Sequence, residues 1–189
     1  MVEAAPAVDA ASFDEANLTA WYGFLADGVD LLAAALAVTP RLDTLQATTL
    51  ASVEHDRSLR TSGVYTADRA INATTRAMAD LFTRYDMLLT PTTCAPNTPL
   101  SQLDANVAGL HARGWYHRIL SSAGFTAVAN ATATPTISLP LDWSSEGWPI
   151  GDLRFYGAEI PDVLIADSGS VHRLVLAPTG AAASELLPD

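Results

Sequence analysis

The chain contains no lysine: its ten basic side chains, from Arg41 to Arg173, are all arginines. Any mechanism that needs a lysine must therefore take it from another polypeptide. Positive charge as a whole is scarce. Ten basic against 21 acidic residues leave a net charge of −11, and binding through phosphates requires clustered cations. Nucleic acid and anionic membrane are accordingly not expected as partners. Cysteine is nearly absent too, and the single Cys94 cannot form an internal disulfide. No apolar run approaches the roughly 20 residues of a bilayer span, because the longest, 31–38, ends at Thr39-Pro40. The opening Met1-Val2-Glu3-Ala4-Ala5-Pro6 has no positive charge, so a secretory leader is not expected and a cytoplasmic location is.

What the chain has in quantity is apolar side chains, 49% of its 189 residues, against 16% charged. That length suits one domain. The excess of apolar residues implies surface that must find cover. Phe13, Asn17, Trp21, Phe24, Leu25, Leu31, Leu32 and Ala35 recur at helical spacing, predicting a long first helix that Gly28 weakens without ending. Pro40 is expected in the first turn of a second helix with Leu42, Leu45, Thr49, Leu50 and Val53 on its apolar face, closed by Ser62-Gly63. Thr66 is expected to cap a third helix running to about Tyr85. At Met87-Leu88-Leu89-Thr90 the pattern becomes that of a short buried strand ended by Pro91, followed by a loop punctuated by Pro96 and Pro99. Two short helices are expected over 115–123 and 125–132. Alternation over 136–143, turn chemistry in Ser144-Ser145-Glu146-Gly147 and a return over 148–156 predict a hairpin. From Gly157 onward only short elements are expected.

No reaction centre is evident from residue types alone. His55, His111, His117 and His172 are scattered without metal-ligand spacing, so no metal or other cofactor is expected. Asp167, Ser168, Ser170 and His172 are close in sequence, but hydrolase triads are assembled in space and no nucleophile-elbow glycines surround these serines. A polar turn is the better reading.

Three segments in fixed order go further. Tyr85-Asp86-Met87-Leu88-Leu89-Thr90-Pro91-Thr92-Thr93 is followed by Phe125-Thr126-Ala127-Val128-Ala129-Asn130-Ala131-Thr132-Ala133-Thr134-Pro135-Thr136-Ile137-Ser138-Leu139-Pro140 and then by Gly147-Trp148-Pro149-Ile150-Gly151. Together they resemble the carboxyl-terminal third of the amidase signature family. Ala47-Thr48-Thr49-Leu50 and Ala67-Asp68-Arg69 resemble its branch of cyclic aminohexanoate dimer hydrolases. The resemblance covers most of residues 3–166. It implies an α/β fold class, here an incomplete amidase-signature-like fold with helices packed on part of a mixed sheet. We read 1–166 as the carboxyl-terminal part of an amidase-like domain, helical over 10–85 and built of strands and loops over 86–156. Residues 167–189 form an atypical tail with no assignment.

The resemblance also implies chemistry. The family hydrolyses amides with a nucleophilic serine, a second serine in a cis peptide, and a lysine, beside a glycine- and serine-rich run that forms the oxyanion hole. This chain has neither the run nor a lysine, so no catalytic residue is assigned. A pocket wall is expected at Thr92, Thr93 and Cys94, with Trp21 as a further lining residue; an ordinary surface loop and core packing remain the alternatives. Asn130 is expected to be buried and to tie down loop backbone, while Pro135 starts a strand. Three departures from the family pattern stand out: Ala133 occupies a glycine position, Gly124 a proline position, and Asp152-Leu153 the place of Val-Gln. The expected roles are an inactive carboxyl-terminal fragment, a subunit completing a split amidase with an amino-terminal half, or a stand-alone binding module. The expected partners are that amino-terminal half or a second copy in a homo-oligomer, and a small-molecule amide only after complementation.

Overall fold

A computed structural model describes residues 2–95, 98–107 and 109–156, together with the strand segments 163–167, 170–176 and 182–186. Their regular elements are four α-helices, one 3-10 turn (Leu100–Leu103) and two antiparallel three-stranded sheets. Helix α1 (Ala10–Leu36) is started by Asp9, whose carboxylate accepts hydrogen bonds from the Ser12 amide at 3.2 Å and the Ser12 hydroxyl at 2.7 Å. It passes through Gly28 and ends at Ala37, which takes a left-handed conformation so that the Val38 amide can return to the Ala33 carbonyl.

The next two helices depart from expectation at their boundaries. Pro40 does not begin one. Residues 41–45 close a turn, the Arg41 amide donating to the Thr44 hydroxyl and the Leu45 amide to the Arg41 carbonyl, and Leu42 is exposed. Helix α2 (Ala47–Ser58) starts later because its first amides are satisfied from a distant loop. The Ala47 amide donates to the Asn106 side chain at 3.1 Å and the Thr48 amide to the Ala105 carbonyl at 3.1 Å. Thr48, Ser52 and Val53 face inward. Helix α3 (Thr61–Phe82) includes Gly63, and Thr66 lies inside it, donating to the Ser62 carbonyl instead of capping. Its buried stripe, Ala67, Thr74, Met78 and Leu81, recurs at helical spacing.

Strand β1 (Met87–Pro91) alternates between exposed and half-buried positions rather than being buried throughout. The two helices expected after it are one, α4 (Ala112–Thr132), bent at Ala123 (φ −115°, ψ 19°). The bend has a partner: the Ser122 carbonyl accepts the Cys94 amide at 2.9 Å, so it serves the loop after β1. Either side of the bend, α4 packs differently. Ala112 and Tyr116 join Leu18 and Tyr22 of α1 in one core cluster. Ala129 joins Met78, Leu153 and Phe155 in the other.

The predicted hairpin is present as β2 (Thr136–Trp143) and β3 (Pro149–Tyr156), with β3 central in the order β1-β3-β2. Gly147 stands at φ +81°, where a side chain would be strained, and the Ser144 hydroxyl accepts the Trp148 amide at 3.0 Å. Pro135 precedes β2 as expected, its carbonyl receiving the Tyr156 amide at 2.9 Å. Asn130 is exposed on the last turn of α4, not buried in a loop. The helix ladder satisfies the backbone around it, and the chain is turned by Ala133 at φ 51° with the Thr134 amide on the Ala129 carbonyl. Asp152 sits half-buried in β3 with no ion-pair partner among the described residues.

A second sheet, β4 (Val163–Asp167), β5 (Ser170–Leu176) and β6 (Ala182–Leu186), is an antiparallel meander. Asp167 pairs with Ser170 and Ile165 with His172, and Ser168 lies outside the described residues. The α/β class holds. The ladders described are antiparallel, so any parallel partner of a mixed sheet lies outside them. Among the described residues no helix is long and apolar enough to cross a membrane.

Candidate functional site

The loop after β1 meets the hairpin turn at one end of the sheet. Between them lies a cavity of about 220 Å³ lined by Thr93, Cys94, Ala95, Ser144, Trp148, Pro149 and Ile150. Its floor is built by the ladder. The Thr92 amide donates to the Gly151 carbonyl at 2.8 Å, adding one pair to β1–β3. From the outer strands, the Thr92 and Ser138 hydroxyls reach over the central one and share a hydrogen bond of 2.7 Å. Gly151 lies beneath that bridge, where a Cβ would stand 2.7 Å from Thr92 Oγ1.

Cys94 is fixed from the other side. Its amide holds the α4 bend, and its Sγ lies 3.0 Å from where a Cβ on Gly124 would stand. The family's proline at this position would meet that sulfur, so Gly124 and Cys94 suit each other. Thr93 closes the loop locally, its hydroxyl donating to the Ala95 carbonyl at 2.9 Å.

The expected pocket residues are thus brought together in part. Thr93 and Cys94 line the cavity, and Thr92 supports its floor. Trp21 does not belong to it: the indole is 38% exposed on α1 and packs edge-on against Tyr116, ring centres 6.5 Å apart. The sequence reading treated Ser138, Trp148, Ile150 and Gly151 as motif residues and Ser144 as turn chemistry, without placing any of them at a wall. Signals were present in the turn serine of the hairpin and in the glycine following Pro149-Ile150.

The chemistry of this wall is neutral. It offers hydroxyls, a thiol and an indole, with no carboxylate, imidazole or guanidinium among the lining residues. Such a surface can shape a site and donate hydrogen bonds; it contains no base to deprotonate a hydroxyl. Two larger hollows, about 560 Å³ between α1 and α3 and about 550 Å³ beside β1, contain none of the expected residues. Ionisable groups with displaced proton affinity lie elsewhere. Burial pushes the Tyr22 and Tyr116 hydroxyls up to about 12, and the hydrogen bond from Arg113 holds the Glu15 carboxyl below its ordinary value. Among the described residues no group of three metal-ligating side chains stands together.

Known proteins supply the frame for this geometry. The Amidase family model matches residues 3–165. A protein described as "Putative amidase AmiC" from Mycobacterium leprae (strain TN) is 40% identical over 80 residues, 40% of this chain and 15% of that protein. The structure of 6-aminohexanoate cyclic dimer hydrolase complexed with substrate superposes with a TM-score of 0.66 at 18% identity, covering 78% of this chain and 32% of that one. A second structure of 6-aminohexanoate cyclic dimer hydrolase gives 0.62 at 20% identity, over 71% and 29%. The chain therefore spans about a third of the length of the solved relatives whose fold it shares. With the family model running from residue 3 to residue 165, the chain belongs to the Amidase family.

Proposed function

We propose that this chain is the carboxyl-terminal part of an amidase-type hydrolase of carboxamide C–N bonds, and that by itself it does not turn over an amide by the family's route. One observation carries the reading: a chain matched to the family over residues 3–165 contains no lysine. A serine hydroxyl is a weak nucleophile until a neighbouring base removes its proton, and losing one member of such a unit costs orders of magnitude in rate. The neutral cavity between the loop and the hairpin fits the role of a substrate wall facing machinery held elsewhere. Residues 1–166 are the amidase-like part in this reading, 167–189 a separate tail, and the location cytoplasmic. The test is an assay of the purified chain on a linear and a cyclic carboxamide. Hydrolysis at the buffer background is expected, and enzyme-like turnover by the chain alone overturns the proposal.

A second reading, a non-catalytic subunit that completes a split amidase, is favoured by the apolar side chains left open around the cavity: Trp143 is 65% exposed, Trp148 52% and Ile150 43%. Co-expression with a polypeptide carrying the lysine and the glycine/serine run is expected to restore amide hydrolysis. Stable co-purification without activity would sink it.

A further inference from the structure

We infer that α1 carries a self-complementary apolar surface through which two copies of this chain pair, their α1 helices crossing at Gly28. Tyr22 and Ala26 are buried. At about 3.6 residues per turn, Phe24, Gly28, Leu31 and Ala35 fall on the opposite side of the helix, with Leu32 and Leu36 at its flank. That side is open. Phe24 is 80% exposed, Leu31 and Leu32 64% each, and Leu36 67%. A helix that covers only its own bundle carries polar residues on its outer side, and these six positions carry none.

Where α1 ends, the chain folds back and leaves an apolar hollow of about 170 Å³ lined by Leu32, Leu36, Val38 and Leu45 among others. It has room for one phenyl ring, since a cavity of about 150 Å³ accepts benzene. Phe24 presents such a ring, but it stands about 13 Å along the helix from the middle of the hollow and cannot fill its own. A second copy can. A two-fold axis midway between ring and hollow exchanges the two, so each Phe24 enters the other copy's hollow and both contacts form together. Midway along the helix is Gly28, where an added Cβ would meet no packed neighbour within 4 Å. With no side chain at that point, the two backbones can approach closely.

Area and charge fit the same occupant. The open parts of Trp21, Phe24, Leu31, Leu32, Leu36 and Val38 amount to roughly 500–700 Å² in each copy. Two copies thus bury about 1,000 Å² or more, the area a specific interface needs. Of the acids on α1 beside this surface, Asp30 is paired with Arg57 at 2.8 Å, and Asp27 has no ion-pair partner among the described residues. Two chains of net charge −11 repel each other, and salt screens that repulsion. The pair therefore tightens as salt is added, whereas a cationic partner on the same surface would loosen.

Sedimentation equilibrium of the full chain over a range of concentration and salt tests the pairing. A two-copy mass that salt stabilises is expected. Phe24→Ser removes the ring, and Gly28→Leu blocks the crossing point while raising helix propensity; each should weaken the pair about tenfold or more. Leu100→Ser, at a side chain 98% exposed on the 3-10 turn, should leave it unchanged. A cross-link keeps the test decisive if those variants misfold. In a Cys94→Ser background, Gly28→Cys should join copy to copy on mild oxidation, because a disulfide forms only where Cα atoms come within about 7 Å, and Leu100→Cys should not. A one-copy mass at every concentration overturns the proposal. So does a pair that withstands both Phe24→Ser and Gly28→Leu and gives no cross-link at position 28. Equal loss with Leu100→Ser, loosening by salt, or growth beyond two copies each overturns it as well, the last because a two-fold contact closes on itself.

Discussion

The two ends of β3 are packed in opposite ways. Toward Tyr156, Leu153 and Phe155 lie under Met78 of α3 and Ala129 of α4, nearly sealed from solvent. Toward Pro149, the same strand meets Thr93, Cys94 and Trp148 around a hollow, with Ile150 open. Eight residues of one strand thus pass from core to rim. The difference separates what stabilises this chain from what it offers to others: the helices cover one end, and the rim keeps apolar groups that nothing in the described structure covers.

The strongest way to break this contrast is to truncate one large side chain at each end. Phe155→Ala empties a site that is 2% exposed and should cost about 3–5 kcal/mol, read from denaturant midpoints. Trp148→Ala, at 52% exposure, should stay within about 0.5 kcal/mol. Equal losses would mean that the rim is part of the folded core. At the boundary between the two ends, Gly151→Ala drives a methyl to 2.7 Å from Thr92 Oγ1 and should cost about 1–3 kcal/mol. Adding Thr92→Ala should recover part of that loss, because the clashing hydroxyl is gone.

How much of this was legible beforehand follows from the range of the interactions. The hairpin and its Gly147 turn were readable because period and turn chemistry are local. The start of α2 was not, since its first amides are satisfied by Ala105 and Asn106, which no nearby pattern announces. The fusion of two expected helices into α4 depends on Cys94 bonding the Ser122 carbonyl, again a distant contact. At the site, motif resemblance pointed to Thr93 and Cys94, which line the cavity, whereas the Thr92–Ser138 bridge required the strand register. Trp21 lies against Tyr116, away from this cavity, because helical spacing places a side chain on a face but does not say what that face meets.

Within the core, two buried tyrosines sharpen the contrast further. Tyr116 accepts a hydrogen bond from the Asn17 amide group at 2.8 Å, whereas the Tyr22 hydroxyl has no partner among the described residues. Tyr116→Phe should cost about 0.5–1.5 kcal/mol, and Tyr22→Phe should be neutral or slightly stabilising. Ala133 offers a gain instead. It holds φ 51° at the end of α4, at the position where the family pattern has glycine, so Ala133→Gly should raise stability by about 0.5–1 kcal/mol, read as a higher thermal midpoint.

The smallest effect concerns the outer surface, away from both ends of β3. Arg113 grips Glu15 across α4 and α1, with Nη2 to Oε2 at 2.8 Å, and this hydrogen bond depresses the Glu15 carboxyl below its ordinary value of 4.5. The folded state therefore binds that proton less readily than the unfolded chain does. The pair's contribution is complete above pH 4.5 and is lost as pH falls below it through the depressed folded value. Both side chains are largely exposed, 46% and 60%, so solvent screening holds the total to about 1 kcal/mol or less. Glu15→Gln should lower stability by that amount at neutral pH and by nothing at a pH below the folded value. A loss that persists undiminished in acid would show that Glu15 acts through packing between α1 and α4 rather than through its charge.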